Sequence, residues 1–251
     1  MAKLTKAQIK KHDEALALLE KDELTHEDKL FIFQHWQESA DHVNSKAGAF
    51  FTPWALASDF ALEMNTCARV LDLCAGIGTL SYAYWWRTGG KTAYLENPIS
   101  ITCVEQNPAY IELGKRILPE ATWIEADIFD LPELGEFDIV ISNPPFGALK
   151  RTGDGPRYTG RNFEYHVIDI ASQYSDCGAF IISPMSAGFS TSGPWGFQRQ
   201  EGREFQKFRK ETGIFLDAGV GIEANNEQYS GWKQTSPMVE VCTALFNEET
   251  I

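Results

Sequence analysis

An asparagine, two prolines and an aromatic residue at the end of an apolar run form a set of groups able to hold a planar amine. Residues 138–147 read Asp-Ile-Val-Ile-Ser-Asn-Pro-Pro-Phe-Gly. The Asn143 side-chain oxygen can accept one N–H of an amine. Pro144 and Pro145 have no N–H of their own, so they stiffen a turn that presents bare carbonyls. The Pro144 carbonyl can accept the second N–H, and Phe146 offers a face on which a base can stack. Accepted hydrogen bonds push electron density onto the amine nitrogen and aim its lone pair. Alone, the stretch could equally be a strand running into a Pro-rich turn.

The preceding residues shift that balance. Val70-Leu71-Asp72-Leu73 runs through Cys74 into Ala75-Gly76-Ile77-Gly78, and a helix-like stretch follows. Small residues at a strand-to-helix turn let a ligand approach the backbone closely. Two further apolar runs end in acids, Ile101–Val104 at Glu105 and Ala121–Ala126 at Asp127. An acid at the end of the second strand is the usual partner of ribose hydroxyls, because a carboxylate can accept both.

On these residues the chain resembles the S-adenosylmethionine-dependent N6-adenine DNA methyltransferases, in the gamma order that puts cofactor motifs before the catalytic motif. It is similar in its core to type I restriction-modification methylase subunits and phage adenine methyltransferases. Phe51-Thr52-Pro53, before a helix-like Trp54–Met64, resembles the family's Tyr/Phe-Thr-Pro motif. The resemblance implies S-adenosyl-L-methionine as cofactor. It implies that Asp72 and the Ala75, Gly76, Gly78 turn hold the methionine part, with Phe51, Thr52 and Pro53 closing over it. Glu105 with Gln106 would take the ribose, and Asp127 with Ile128 the cofactor's adenine. Asn143, Pro144, Pro145 and Phe146 would be catalytic, with Asn143 also touching the cofactor. Such chemistry needs the target adenine out of its stack. Two features depart from the DNA pattern: no long target-recognition segment is visible, and Asn-Pro-Pro-Phe-Gly also occurs in ribosomal RNA methyltransferases.

These groups must be positioned by alternating strands and helices. Strands are predicted near 68–73, 100–105, 122–127, 137–142, 178–184, 213–222 and 238–246, and helices at 53–65, 77–87, 108–117 and 163–175. Strand–helix alternation predicts an α/β fold with a mostly parallel sheet covered on both faces. The last two runs lack a long helix between them, so they are expected as an antiparallel pair at the sheet edge. The resemblance implies a seven-stranded Rossmann-like class I methyltransferase sheet with an antiparallel C-terminal strand. Residues 1–44 are expected as a helical extension and 45–251 as the methyltransferase domain. In the extension, Thr5-Lys6-Ala7-Gln8 and Thr25-His26-Glu27-Asp28 resemble helix caps. Ile9, Leu16 and Leu19, then Leu30, Phe33 and Trp36, form apolar stripes expected to pack inward. Six lysines against nine acids there leave −3, which argues against a DNA-binding helix pair and for a lid or support.

The 251 residues, 43% hydrophobic, suffice for one sizeable core. The net charge of −13 disfavours tight, indiscriminate binding to nucleic acid but allows a local basic groove. No apolar run approaches a membrane span, and the N-terminus lacks a signal-peptide core, so a cytoplasmic protein without membrane contact is expected. The five cysteines show no Cys-x-x-Cys pair and no grouping with histidines, which predicts reduced thiols and no metal.

Two segments are basic against this background. Residues 147–162 carry Lys150, Arg151, Arg157 and Arg161 against Asp154, for +4 − 1 = +3. Residues 188–211 carry Arg199, Arg203, Lys207, Arg209 and Lys210 against Glu201, Glu204 and Glu211, for +5 − 3 = +2, with Trp195 and Phe197. Both are expected as loops at the carboxyl edge of the sheet, with the first four basic residues binding a phosphate-bearing substrate. DNA is the expected partner, with short or relaxed sequence preference. Structured RNA, a protein glutamine, or an inactive cofactor-binding subunit are the other readings. A cytosine-C5 enzyme is disfavoured by the lack of a Pro-Cys pair.

Overall fold

The structure is a computed structural model and describes residues 4–37, 51–64, 67–91, 99–191, 196–233 and 237–246. Seven strands form one sheet: β1 (Arg69–Leu73), β2 (Ser100–Glu105), β3 (Thr122–Glu125), β4 (Ile139–Ser142), β5 (Cys177–Ile182), β8 (Phe215–Asp217) and β9 (Glu240–Leu245). Their order is β3-β2-β1-β4-β5-β9-β8, and β6 (Phe189–Ser190) and β7 (Gln198–Arg199) form a separate hairpin. Only β9 runs antiparallel, to both β5 and β8. The order reverses at β1, which lies between β2 and β4, and this reversal opens the crevice used by ligands in such sheets. Register then does the positioning. Leu73 pairs with Val104 on one side and with Ser142 on the other. The residues that follow, Cys74–Gly78, Glu105 and Asn143, therefore meet at one edge.

The central strands are buried on both faces and read as unbroken apolar runs for that reason. Val70, Ile101, Ile139, Ile141 and Val241 face one core cluster, while Leu71, Leu73, Val104, Val140 and Phe180 face the other. Helices α3 (Trp54–Phe60), α4 (Thr79–Arg87) and α5 (Pro108–Ile117) cover the first face; α6 (Phe163–Ala171) and α8 (Arg203–Thr212) cover the second. A one-turn helix, α7 (Pro184–Ala187), follows β5.

Helices α1 (Lys6–Leu19) and α2 (His26–His35) each begin with the expected capping box, at Thr5 and Thr25. Helix α2 docks on α4: the His26 ring stacks on Trp86 at 3.6 Å, and its Nδ1 meets the Tyr82 hydroxyl at 2.8 Å. Phe33 and Trp36 are buried as expected, but Ile9 and Leu16 of α1 are exposed. Helix α1 instead docks through Ala15 and His12, whose Nδ1 accepts the Gln37 backbone N–H. Residues 38–44, the end of the expected extension, lie outside the described residues.

The 188–211 segment departs from its expected loop. It holds the β6–β7 hairpin and most of α8, between Gly202 and a left-handed Gly213. Phe205 and Phe208 anchor α8 in the second core cluster. Trp195 lies outside the described residues. The strand expected over 213–222 is limited to β8 and turns away after Asp217. Among the described residues no helix is long and apolar enough to cross a membrane.

Candidate active site

The turn after β1 is built from left-handed backbone. Cys74 (φ 59°), Gly76 (φ 57°) and Gly78 (φ 79°) all have positive φ, and Gly78 is the N-cap of α4. A Cβ at Gly78 would lie 2.9 Å from the Trp123 ring, and one at Gly76 would lie 3.4 Å from Phe51. The first approach leaves no room for a side chain, so glycine is required by space as well as by conformation. Phe51 thus lies directly over the turn.

Glu105 ties this turn to the next strand. One carboxylate oxygen accepts the Gly76 N–H at 2.8 Å; the other accepts Gln106 N–H and Asn107 N–H, both at 2.9 Å. Burial pushes its pKa up, and these three hydrogen bonds oppose the shift. About one of a carboxylate's roughly four acceptor directions remains for a ligand. Asp72 lies deeper. Its Oδ2 accepts from the Ser81 hydroxyl at 2.6 Å, and its Oδ1 is buried with no partner. Burial pushes this carboxyl up to about 7, and the nearby Glu105 adds to the rise. A buried acceptor left over at a cavity wall is where a ligand cation or N–H donor belongs.

The Asn-Pro-Pro-Phe turn follows β4, whose Ser142 hydroxyl donates to the Leu73 carbonyl. Asn143 donates from Nδ2 to the Thr52 hydroxyl at 2.9 Å, which orients its amide. This contact joins the Phe-Thr-Pro segment to the Asn-Pro-Pro-Phe turn across 91 positions of sequence. Glu164, unassigned by the motifs, braces the same turn: its carboxylate accepts the Gly147 N–H at 2.7 Å and the Ser186 hydroxyl. An acid inside the apolar helix Phe-Glu-Tyr-His-Val-Ile was the available signal.

A cavity of about 490 Å³ opens between these elements, a volume that suits a nucleoside-sized ligand. Phe51, Thr52, Asp72, Ala75, Gly76, Glu105, Gln106, Ile128, Asn143 and Pro145 all line it. So do Cys74, Thr79, Tyr110 and Phe163, which sequence reasoning did not single out. Pro53 caps α3 behind the wall. Pro144 is buried, and Gly78 acts through the backbone of the turn. Two side chains depart from expectation. Phe146 packs against the first core cluster and does not line the cavity, where the neighbouring ring is Phe163. Asp127 also stands outside the lining: its carboxylate accepts the Phe129 N–H at 3.0 Å and the Thr152 hydroxyl at 2.7 Å. Among the described residues the lining includes the acids Asp72 and Glu105 and no lysine or arginine. The site therefore fits S-adenosylmethionine, with its sulfonium and ammonium groups.

The basic segment is corrected in part. The Arg157 guanidinium donates to Asp169, the Thr212 carbonyl and the Ser172 hydroxyl, at 2.8, 2.9 and 2.6 Å. Arg151 pairs with Asp154 and donates to the Gly160 carbonyl. These two arginines hold the protein's own loop. Lys150 and Arg161 are exposed.

Comparisons with known proteins agree with this geometry. Residues 55–155 match the family described as "Methyltransferase small domain". No curated protein matches the chain. Among solved structures, a Listeria monocytogenes protein proposed to be a class I S-adenosylmethionine-dependent methyltransferase superposes with a TM-score of 0.60 at 14% identity, over 93% of this chain and 71% of that one. The type I restriction-modification methyltransferase subunit of Streptococcus thermophilus gives 0.57 at 15% identity, over 90% of this chain. The chain spans 51% of that subunit. The seven-stranded sheet, its reversal at β1 and its single antiparallel strand make this a Rossmann-like class I methyltransferase fold.

Proposed function

We propose that the protein transfers a methyl group from S-adenosylmethionine to the N6 amine of adenine in nucleic acid, with DNA the favoured substrate. The observation that carries this reading is the Thr52–Asn143 hydrogen bond at the cavity wall, which brings the amine-holding asparagine onto the cofactor site. Bound in the cavity, S-adenosylmethionine supplies an electrophilic methyl group. Asp72 receives the cofactor's ammonium on its unpartnered oxygen, and Glu105 accepts a ribose hydroxyl in its remaining direction. The Asn143 side-chain oxygen and the Pro144 carbonyl accept the two N–H groups of the target amine and aim its lone pair. The work is positioning and electrostatic stabilisation, with no covalent bond to the protein. Because Phe146 lies outside the cavity, a flipped base that stacks on it requires that ring to turn. Lys150 and Arg161 flank the turn as phosphate contacts. The Phe51-Thr52-Pro53 motif upstream of the glycine turn favours DNA over RNA.

Transfer of tritium from labelled cofactor to DNA, RNA or protein tests this directly. Label in the N6-methyladenine of DNA is expected, and its loss in Asn143→Ala ties it to the turn. Label appearing only in RNA, or only in protein, would reassign the substrate.

A further inference from the structure

A buried cation beside the cavity has no counter-ion among the described residues. The Lys233 ammonium is out of contact with solvent and makes no hydrogen bond. It lies 5.3 Å from the Phe51 ring centroid and 5.7 Å from that of Trp36. These two rings meet edge to face at 83°, so the ammonium sits in an aromatic corner. Cation–π attraction recovers only part of the hydration that burial removes. That is less than the cost of a lone buried ion, which is why buried charges are almost always paired. Among the described residues no acid pairs with it. Burial alone pushes its pKa down to about 7, and the charged neighbour that feels it is His35.

The position of this corner identifies the missing anion. Phe51 is shared: one ring lines the cavity, lies over Gly76 and bears the ammonium. Lys233 arrives on the segment between β8 and β9, which crosses the Phe51–Pro53 stretch. A Cβ at Gly231 would touch Pro53 at 3.3 Å, and Trp232 packs on the first core cluster. The end of the cavity beside Phe51 and Asp72 is the one assigned above to the amino-acid part of the cofactor. That part carries an ammonium and a carboxylate. Asp72 suits the first, Asp72 and Glu105 repel the second, and among the described residues the cavity lining offers no basic side chain. We infer that Lys233, whose ammonium bears on the Phe51 ring and does not itself line the cavity, supplies the positive charge that favours the carboxylate of the bound S-adenosyl amino acid and discriminates it from ligands lacking that group.

This inference rests on the cofactor reading above, and one set of binding measurements separates the two. S-Adenosylmethionine and its decarboxylated analogue are titrated calorimetrically into wild type, Lys233→Met and Lys233→Arg. Wild type is expected to prefer the carboxylated ligand by roughly ten- to hundredfold, as for a weakly screened attraction between opposite charges. Lys233→Met should bind the two alike, and Lys233→Arg should keep the preference. Thermal unfolding of Lys233→Met at or above the wild-type temperature would confirm that the variant folds, since it removes an unpaired buried ion. If it does not fold, Lys233→Gln takes its place in the comparison. A preference retained in folded Lys233→Met, or absent from wild type, overturns the inference while leaving the cofactor reading intact. Nucleic-acid affinity lost in Lys233→Met with ligand preference unchanged would also overturn it, assigning the cation to a phosphate. If neither ligand binds wild type, both the inference and the cofactor reading fail.

Discussion

At the scale of single residues, the Thr52–Asn143 hydrogen bond gives Thr52 a role its motif did not announce. Thr52→Val keeps the shape and removes the acceptor for Asn143. Methyl transfer is expected to fall about ten- to hundredfold, in proportion to one lost orienting bond, with cofactor affinity changed far less. Asn143→Ala should abolish transfer and likewise spare cofactor binding; wild-type turnover in either variant would separate Asn143 from the chemistry. Asp72 governs a pH response. Burial raises its folded pKa to about 7, above roughly 3.9 in the unfolded chain. The folded state therefore holds this proton more tightly, and the carboxyl detracts from stability as pH rises from about 4 to about 7. Asp72→Asn should then be neutral or stabilising at pH 8 in thermal unfolding. Binding runs in the opposite sense. The cofactor's ammonium favours the ionised carboxylate, so affinity should fall as pH drops below about 7, by up to tenfold per unit. Titrations between pH 5 and 8 should show that slope in wild type and a weaker, flatter profile in Asp72→Asn. Flat wild-type binding would remove Asp72 from the ammonium site.

Among elements, the parts legible in the sequence were those written locally. The capping boxes at Thr5 and Thr25, the Cys74–Gly78 turn and the acid closing β2 each need only a few consecutive residues. What stayed hidden depended on distant partners. The arginines of the 147–162 segment read as a phosphate patch because Asp169, which engages Arg157, lies inside an apolar helix 12 residues away. Helix α8 was masked by the Gly- and aromatic-rich stretch before it, although Phe205 and Phe208 stand at helical spacing. Lys233 reads as an ordinary polar residue until its two aromatic neighbours are folded against it. The structural role of Arg157 has a stability signature. Asp169 is fully buried and also accepts the Arg157 and Tyr158 backbone N–H groups. Arg157→Ala should cost roughly 1–3 kcal/mol by denaturant unfolding, less than a wholly buried pair because the arginine is partly exposed. No loss of stability would return Arg157 to the substrate-facing set.

Across the whole molecule, a charge of −13 leaves little electrostatic attraction for nucleic acid beyond the few basic groups that face outward. With Arg151 and Arg157 engaged by the protein's own acids and carbonyls, Lys150 and Arg161 remain from the first basic segment. Two phosphate contacts there, as proposed, would give a log–log salt slope of about −2. Replacing both by Ser should flatten DNA binding against salt while leaving unfolding unchanged; an unaltered slope would move the substrate path elsewhere. One contact at the glycine turn also gives the molecule an internal optical gauge. The Trp123 indole fills the space where Gly78 and Gly114 have no side chains, and its Nε1 donates to the Leu118 carbonyl. Its emission should therefore register small displacements of the turn that receives the ligand. Titrating the cavity without any attached dye should shift the protein's fluorescence, and Trp123→Phe should erase most of that shift although six of the seven tryptophans remain.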